Sequence, residues 1–546
     1  MEFDRVLKKV GDFHRYQKSI YFILCLPAAF PSAWTAFNNV FIAAVPAHWC
    51  RSPNSAQIAS TLNSTANQCF ENSFNDTADN RTSERIPCRY GWQYDTTTYR
   101  STIATEFDLV CDNGYWVELS TLIFYIGSFF GNVLFGYIAD KWGRRVSFFL
   151  ILTVQVVFGT ASAFAPNIYW FTLLRCLVGF TFPALYQIPF IIGMELMAPK
   201  GRIFAGMVIC IFFGVAMCLL GVVASFIREW RLLTIICNTP FVLLFIYWWI
   251  LPESPRWLVS ERNFDEAARV LVKIAKCNNR KVEFSELKED CMHVYQRSVE
   301  DQEKAENRVN ILDLYRTPNL RKKSIIVSYV WLVNATVYNG LTYNISNLRV
   351  NDYLSSSING AVEIPAYFLI WPLMDRLGRR WIMCAAMLIG GAACICTIFV
   401  PQELDYAVSG MAFLGKFGNA ASFAVLYIFA GEIFPTVDRA LGMGVSSLIA
   451  GLGILMAPYL VALGNLFHIL PLLIMGGLSV SAGIATMFLP ETLGSPLPQT
   501  VEEAEAYGKG FPFFYIRPPN HNRSQNVPLN QTNHQEAAQE DTAEML

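Results

Sequence analysis

Three ionisable side chains sit inside long apolar runs: Arg175 in LLRCLVGF, Glu363 in GAVEIPAY and Lys416 in FLGKFGN. A charge at the centre of a membrane helix costs about 3 kcal/mol or more, so such residues face a partner or a water-filled cavity. Their chemistry is electrostatic rather than covalent. Glu363 can serve as counter-ion to a cationic solute, or it can pair with Lys416 and leave little net charge; the two readings are compatible. Arg175 fits a brace between helices better than a ligand site. The six histidines (His14, His48, His293, His468, His521, His534) are scattered, and no Ser/His/Asp set, metal-spaced cluster or GxxxxGK[ST] loop is present. An enzyme, a metal centre or a cofactor is therefore not expected. A net charge of −1, with no basic aromatic-laced tract, argues against a nucleic-acid partner.

A second group of charges is written twice. GYIADKWGRR (Gly136–Arg145) is echoed by WPLMDRLGRR, so that Asp140, Gly143, Arg144 and Arg145 return as Asp375, Gly378, Arg379 and Arg380, 235 residues later. Glu195 and Arg202, seven apart, return as Glu432 and Arg439 at an offset of 237, and Pro252-Glu253 returns as Pro490-Glu491 at 238. Glycine permits a sharp backbone bend, and the arginines favour the cytoplasmic side. The aspartate four residues before the first arginine in both copies suits an ion pair or a helix-dipole contact. These groups are expected to form cytoplasmic networks at the interface between two halves, a bistable element for conformational gating.

The elements that must position these residues are membrane spans. The chain has 546 residues, 53% hydrophobic and 16% charged, against roughly 25% charged in soluble domains. Spanning-length apolar runs lie near 19–41, 115–139, 146–165, 168–193, 203–226 and 232–251, then near 324–347, 353–374, 381–400, 405–430, 440–463 and 468–489. The predicted fold is an all-α membrane protein of twelve transmembrane helices in two pseudo-symmetric six-helix halves, with a solute site between them. The organisation reads as a cytoplasmic N-terminus (1–18), an N-terminal half (19–251), a cytoplasmic central loop (252–323), a C-terminal half (324–490) and a cytoplasmic tail (491–546), polar and expected to be mostly disordered after Leu497. The central loop carries fifteen Lys and Arg and the two turns three each, which places both termini inside. The stretch FDEAARVLVKIAK (Phe264–Lys276) has helical apolar spacing and reads as a surface helix lying under the bundle. Residues 42–113 hold Cys50, Cys69, Cys88 and Cys111 with acceptor sequons at Asn63, Asn75 and Asn80. They read as a glycosylated, disulfide-linked extracellular loop whose pairing has three possible connectivities.

With these residues in view the chain resembles the major facilitator superfamily, and more narrowly solute carrier family 22, the transporters of organic cations, carnitine and organic anions. STIATEFDLVC (Ser101–Cys111), PESPRWL (Pro252–Leu258), GEIFPTVDR (Gly431–Arg439) and FLPETLGSPLP (Phe488–Pro498) carry the resemblance, with the long first loop. FPALYQIPFIIGMEL (Phe182–Leu196) is similar to invertebrate organic-cation-transporter-like members. The resemblance implies that Trp331, Tyr338 and Asn339 in WLVNATVYNG line the site, with Tyr186 and Gln187 as further candidates, and it supports Glu363. Aromatic faces attract protonated amines by cation–π contact worth about 0.5–2 kcal/mol. In the span near 440–463, the position where family members place an aspartate or an arginine is Gly451, so the polarity switch is missing.

The function expected is a plasma-membrane secondary transporter of small organic cations or zwitterions by alternating access. Its partners are the solute and the bilayer, with coupling to Na⁺ or H⁺ left open. The rivals are an organic anion or carnitine-type carrier and a non-transporting receptor or scaffold.

Overall fold

The computed structural model describes residues 2–11, 13–51, 69–74, 83–88, 90–197, 199–305, 313–348, 350–401, 404–436, 438–465, 467, 469–495 and 498–509. Asn63, Asn75 and Asn80 lie outside the described residues.

Among the described residues, twelve helical spans follow one another. Span 1 is built of pieces, Arg15–Ile20, a π-helical turn Tyr21–Cys25, Ala29–Phe37 and Asn39–Ile42. Spans 2 and 3 are Tyr115–Trp142 and Arg144–Ser162. Span 4 is interrupted, Ile168–Gly179 then Ala184–Glu195. Span 5 is Pro199–Phe226, and span 6 passes from Trp230–Asn238 into a 3₁₀ stretch, Thr239–Trp249. Spans 7 to 12 are Pro318–Tyr343, Asp352–Leu377, Arg379–Cys396, Asp405–Ile433, Arg439–Ala462 and Leu470–Thr486. Among the described residues, nine helices are long and apolar enough to cross a bilayer by themselves. The other three spans are the broken span 1, the short span 12 and span 8, whose Ser355, Ser356, Asn359 and Glu363 lower its apolarity.

The halves meet along spans 5 and 8 and along spans 2 and 11. Small residues let the first pair approach: a Cβ on Gly360 would collide with the backbone of Cys218 and come within 2.9 Å of the Gly214 carbonyl. On the face that carries the disulfide loop, polar and aromatic contacts tie the halves together. Tyr343 donates to the Ala36 carbonyl (2.8 Å), the hydroxyls of Tyr125 and Tyr343 are 2.7 Å apart, and Tyr99 donates to Asp352 (2.5 Å). The rings of Phe41 and Tyr353 stack at 5.4 Å.

Outside the spans the described residues form further packed elements. The central segment forms Pro255–Ser260, Phe264–Cys277 and Phe284–Ala305. Ala267, Leu271 and Ile274 of the second helix are buried against Phe3, Val6, Leu7 and Val10 of an N-terminal helix, Glu2–Val10, so Phe264–Cys277 is the packed surface helix its spacing predicts. The described start of the tail carries an element the sequence reading did not single out: Val501–Ala506 is helical and docked. Glu505 accepts from the Asn319 and Leu320 amides that open span 7, at 3.2 and 2.7 Å, and Lys323 donates to the Ala504 and Tyr507 carbonyls. The described part of the first loop adds two short antiparallel pairs, His48–Cys50 with Trp92–Tyr94 and Phe70–Phe74 with Ser83–Pro87.

Candidate solute site and its charge networks

Glu363 and Lys416 are both fully buried, on spans 8 and 10, and lie 3.1 Å apart. Span 7 supplies the rest of their surroundings. Tyr338 donates to Glu363 Oε1 at 2.7 Å, and Tyr367, one turn along span 8 from Glu363, donates to Oε2 at 3.2 Å. Lys416 Nζ donates to Thr342 Oγ1 at 2.6 Å and to the Tyr338 carbonyl at 3.3 Å, and stands 3.1 Å from the centre of the Tyr338 ring. Every polar atom of the pair thus has a partner, which a dry interior demands.

Around the pair runs an aromatic wall. Tyr338 packs on Phe423 (5.6 Å between centroids), Phe423 on Tyr427 (5.6 Å), and Tyr427 edge-on to Trp331 (4.5 Å). The buried Trp331 Nε1 has no hydrogen-bond partner among the described residues. From the opposite half, Gly214 of span 5 backs onto the pair, a Cβ there lying 3.4 Å from Glu363 Cβ, and Tyr186 lies against Phe213 at 5.9 Å. Gln187 is exposed beside it. Asn339 belongs to a different set: it accepts from Tyr125 at 3.3 Å and donates to the Ala335 carbonyl at 2.9 Å, on the contact that ties the halves. Tyr367, Thr342, Phe423 and Tyr427 were not among the residues singled out from the sequence. The usable signal was spacing, since Glu363/Tyr367, Tyr338/Thr342 and Phe423/Tyr427 are each four apart on one helix face. Arg175 braces spans 1 and 4, donating to the Thr35 carbonyl (3.2 Å) and Asn38 Oδ1 (3.3 Å) with its guanidinium 4.6 Å from the Phe124 ring centre.

Gly451 faces across the interface, where a Cβ would sit 3.0 Å from Phe129 of span 2. The missing charge therefore leaves room that a phenylalanine fills. A recess of about 880 Å³ between spans 8, 9 and 10, lined by Leu373, Trp381, Ile389 and Phe417, is apolar and contains none of the charged residues.

The repeated turns form two matching networks. Gly143 and Gly378 have φ of +95° and +90°, where a side chain is strained. Each turn is closed by a glutamate from beyond the sixth or twelfth span. Glu253 accepts from the Arg144 amide at 2.9 Å and the Arg145 amide at 3.2 Å; Glu491 accepts from Arg379 at 2.9 Å and Arg380 at 3.0 Å. Burial pushes the Glu253 carboxyl above the usual range, against the pull of these amides. Arg144 pairs with Asp140 (3.1 Å) and Glu195 (3.6 Å), and Arg379 with Asp375 (3.5 Å) and Glu432 (3.2 Å). Arg145 donates to the Trp248 carbonyl and Arg380 to that of Met487.

This corrects one expectation. The charged turns close within their own halves, not across the interface, because each carboxylate comes from a segment of the same half already packed on the turn. Arg202 and Arg439 also go elsewhere: Arg202 reaches Asp4 of the N-terminal helix (2.7 Å), which also holds Arg256 (2.5 Å), and Arg439 donates to Thr436 (3.2 Å).

Cysteine pairing is Cys50–Cys88 and Cys69–Cys111. His48 lies near the latter two sulfurs, but they are bonded to each other and offer no metal site.

Two six-helix halves, a buried charge pair in one half that the other half packs against, and matching hydrogen-bonded turn networks within each half define a secondary transporter of the major facilitator type. The comparisons agree. The chain matches the sugar (and other) transporter family over residues 35–503. It is 51% identical to organic cation transporter 1 of Caenorhabditis elegans, over 93% of this chain and 89% of that one. It is 37% identical to the beta-alanine transporter of Drosophila melanogaster (94% and 90%) and 32% identical to human organic cation/carnitine transporter 2 (92% and 94%). The proton:xylose symporter XylE bound to 6-bromo-6-deoxy-D-glucose superposes with a TM-score of 0.60 at 17% identity, over 90% of this chain and 99% of that one, a likeness of fold alone. The chain belongs to the sugar (and other) transporter family of the major facilitator superfamily, in its solute carrier family 22 branch.

Proposed function

We propose that the chain is a plasma-membrane carrier of small organic cations or zwitterions working by alternating access, with both termini cytoplasmic and residues 42–113 outside. The observation that carries the site is Glu363: a buried carboxylate hydrogen-bonded by Tyr338 and Tyr367, beside an aromatic wall. A protonated or quaternary amine finds there a counter-ion and π faces. The relatives' names, which include organic cation, beta-alanine and carcinine transporters, support this solute class. The turn networks, closed within each half, hold each half as a rigid body, so that gating is the rocking of one half on the other. A monovalent cation moving inward gains about 2.3 kcal/mol per 100 mV of inside-negative potential.

The test is uptake of tetraethylammonium by Glu363→Gln at matched surface level. The expected result is a loss of about tenfold or more, the usual consequence of removing one member of a buried charge pair. Unchanged uptake rejects the counter-ion role.

A further inference from the structure

The site holds a second fixed charge in the position a cation would seek. The ammonium of Lys416 sits 3.1 Å from Glu363 Oε1, 3.1 Å from the Tyr338 ring centre and 2.6 Å from Thr342 Oγ1. Carboxylate, π face and hydroxyl are the groups that recognise an amine. Resting on the reading of Glu363 as cation anchor, we infer that Lys416 is a tethered competitor for that anchor and the receptor for a solute carboxylate, so that the substrate class is a short zwitterion.

The reason is charge balance in a dry place. A solute bearing only an ammonium must displace Lys416 and strand it, charged and unpaired, among buried groups. A solute bearing only a carboxylate takes Lys416 and strands Glu363. A solute bearing both converts one ion pair into two: its ammonium meets Glu363 and the Tyr338 face, its carboxylate meets Lys416. Both charges belong to neighbouring spans of one half and already touch, so a spacer of two or three carbons suffices to part them. The site keeps the same net charge loaded and unloaded, so the zwitterion itself carries no charge through the membrane.

The experiment compares three probes of one skeleton, β-alanine, its amide (a cation) and propionate (an anion), in proteoliposomes of full-length protein. Wild type is expected to take up β-alanine at least about tenfold faster than either single-charge analogue. Lys416→Gln should reverse the preference, lowering β-alanine by about tenfold or more and raising the amide, while Lys416→Arg restores β-alanine. Thermal unfolding reports whether each variant is folded, and if Lys416→Gln is not, the double variant Glu363→Gln/Lys416→Gln, which leaves no stranded charge, is measured instead. That double variant should lose the discrimination among the three probes. Wild type taking up the amide as fast as β-alanine, or Lys416→Gln (or the double variant) keeping the wild-type order of probes, overturns the inference. Amide uptake by Lys416→Gln that survives the further change Glu363→Gln overturns instead the cation-anchor reading on which it rests.

Discussion

At the scale of single residues, the repeated turn depends on two features: the missing Cβ of a glycine and the carboxylate that takes its place. At Gly378, φ is +90°, and a Cβ would overlap the Glu491 carboxylate. That carboxylate accepts the first two amides of span 9, where unpaired N–H groups and the helix dipole favour a negative charge. Gly378→Ala therefore incurs backbone strain of about 1–3 kcal/mol and dislodges charge-assisted hydrogen bonds worth about 1.5–3 kcal/mol each. The expected outcome is a loss of about 3 kcal/mol or more, read as a clear fall in thermal unfolding temperature of the purified protein. Glu491→Gln keeps the shape and most of the acceptor geometry, so its loss should be smaller. An alanine variant as stable as wild type would show that the turn has room to rearrange. Gly143 with Glu253 should behave alike, since a Cβ there would lie 2.5 Å from Glu253 Oε2.

At the scale of elements, the segment Ser101–Cys111 shows what a family-specific stretch does physically. Thr102 and Thr105 cap a short helix reciprocally, and its last residue, Glu106, accepts from Trp230 Nε1 (2.6 Å) and from Arg231 (3.1 Å) at the start of span 6. Burial raises the Glu106 carboxyl, but hydrogen bonds from Arg231 and Trp230 outweigh it and hold the group below its ordinary value of 4.5. A carboxyl whose folded value is depressed contributes stability that is complete above the ordinary value and is lost as pH falls through the folded one. Wild type should therefore lose about 1 kcal/mol of stability, discounted for the exposure of the pair, as pH drops below about 4.5. In Glu106→Gln that increment should be absent at neutral pH, and the two melting curves should converge under acid. Parallel pH profiles would dissociate Glu106 from the clamp. None of this was legible in the sequence, where the segment stood out only by resemblance. Spans and turns were legible because bilayer thickness fixes run length and because a charged turn repeats at a constant offset. Partners were not: Asp4, which holds both Arg202 and Arg256, is separated from them by 198 and 252 residues. The docked tail helix was missed because a polar segment ordered by a few backbone contacts has the same composition as one left free.

At the scale of the whole molecule, the contacts between halves are unequal. On the disulfide-loop face they are specific and polar: Tyr99 to Asp352, Tyr353 to the Thr98 carbonyl at 2.9 Å, Tyr343 to the Ala36 carbonyl. The described conformation is thus closed on that face, and the loop segment Thr98–Tyr99, which departs with the N-terminal half, is part of the closure. Alternating access requires these contacts to break together when the cavity turns to that side, so they set the balance between the two states rather than the affinity of either. A hydrogen bond to a carboxylate contributes about 1.5–3 kcal/mol, enough to move a two-state ratio about tenfold or more. Tyr99→Phe keeps the ring and removes the bond, so it should raise the population open on the loop face by about that factor. A cysteine at Phe37, whose ring is buried 5.9 Å from that of Tyr343, reports the opening in a background where the ten free cysteines are replaced and both disulfides kept. Labelling of Phe37→Cys by an impermeant thiol reagent from the loop side should speed up about tenfold when Tyr99→Phe is added. Labelling at the parental rate would mean that Tyr99 merely rests against Asp352, and that closure is held by the stacked pair Phe41 and Tyr353 and by the tyrosines deeper in the interface.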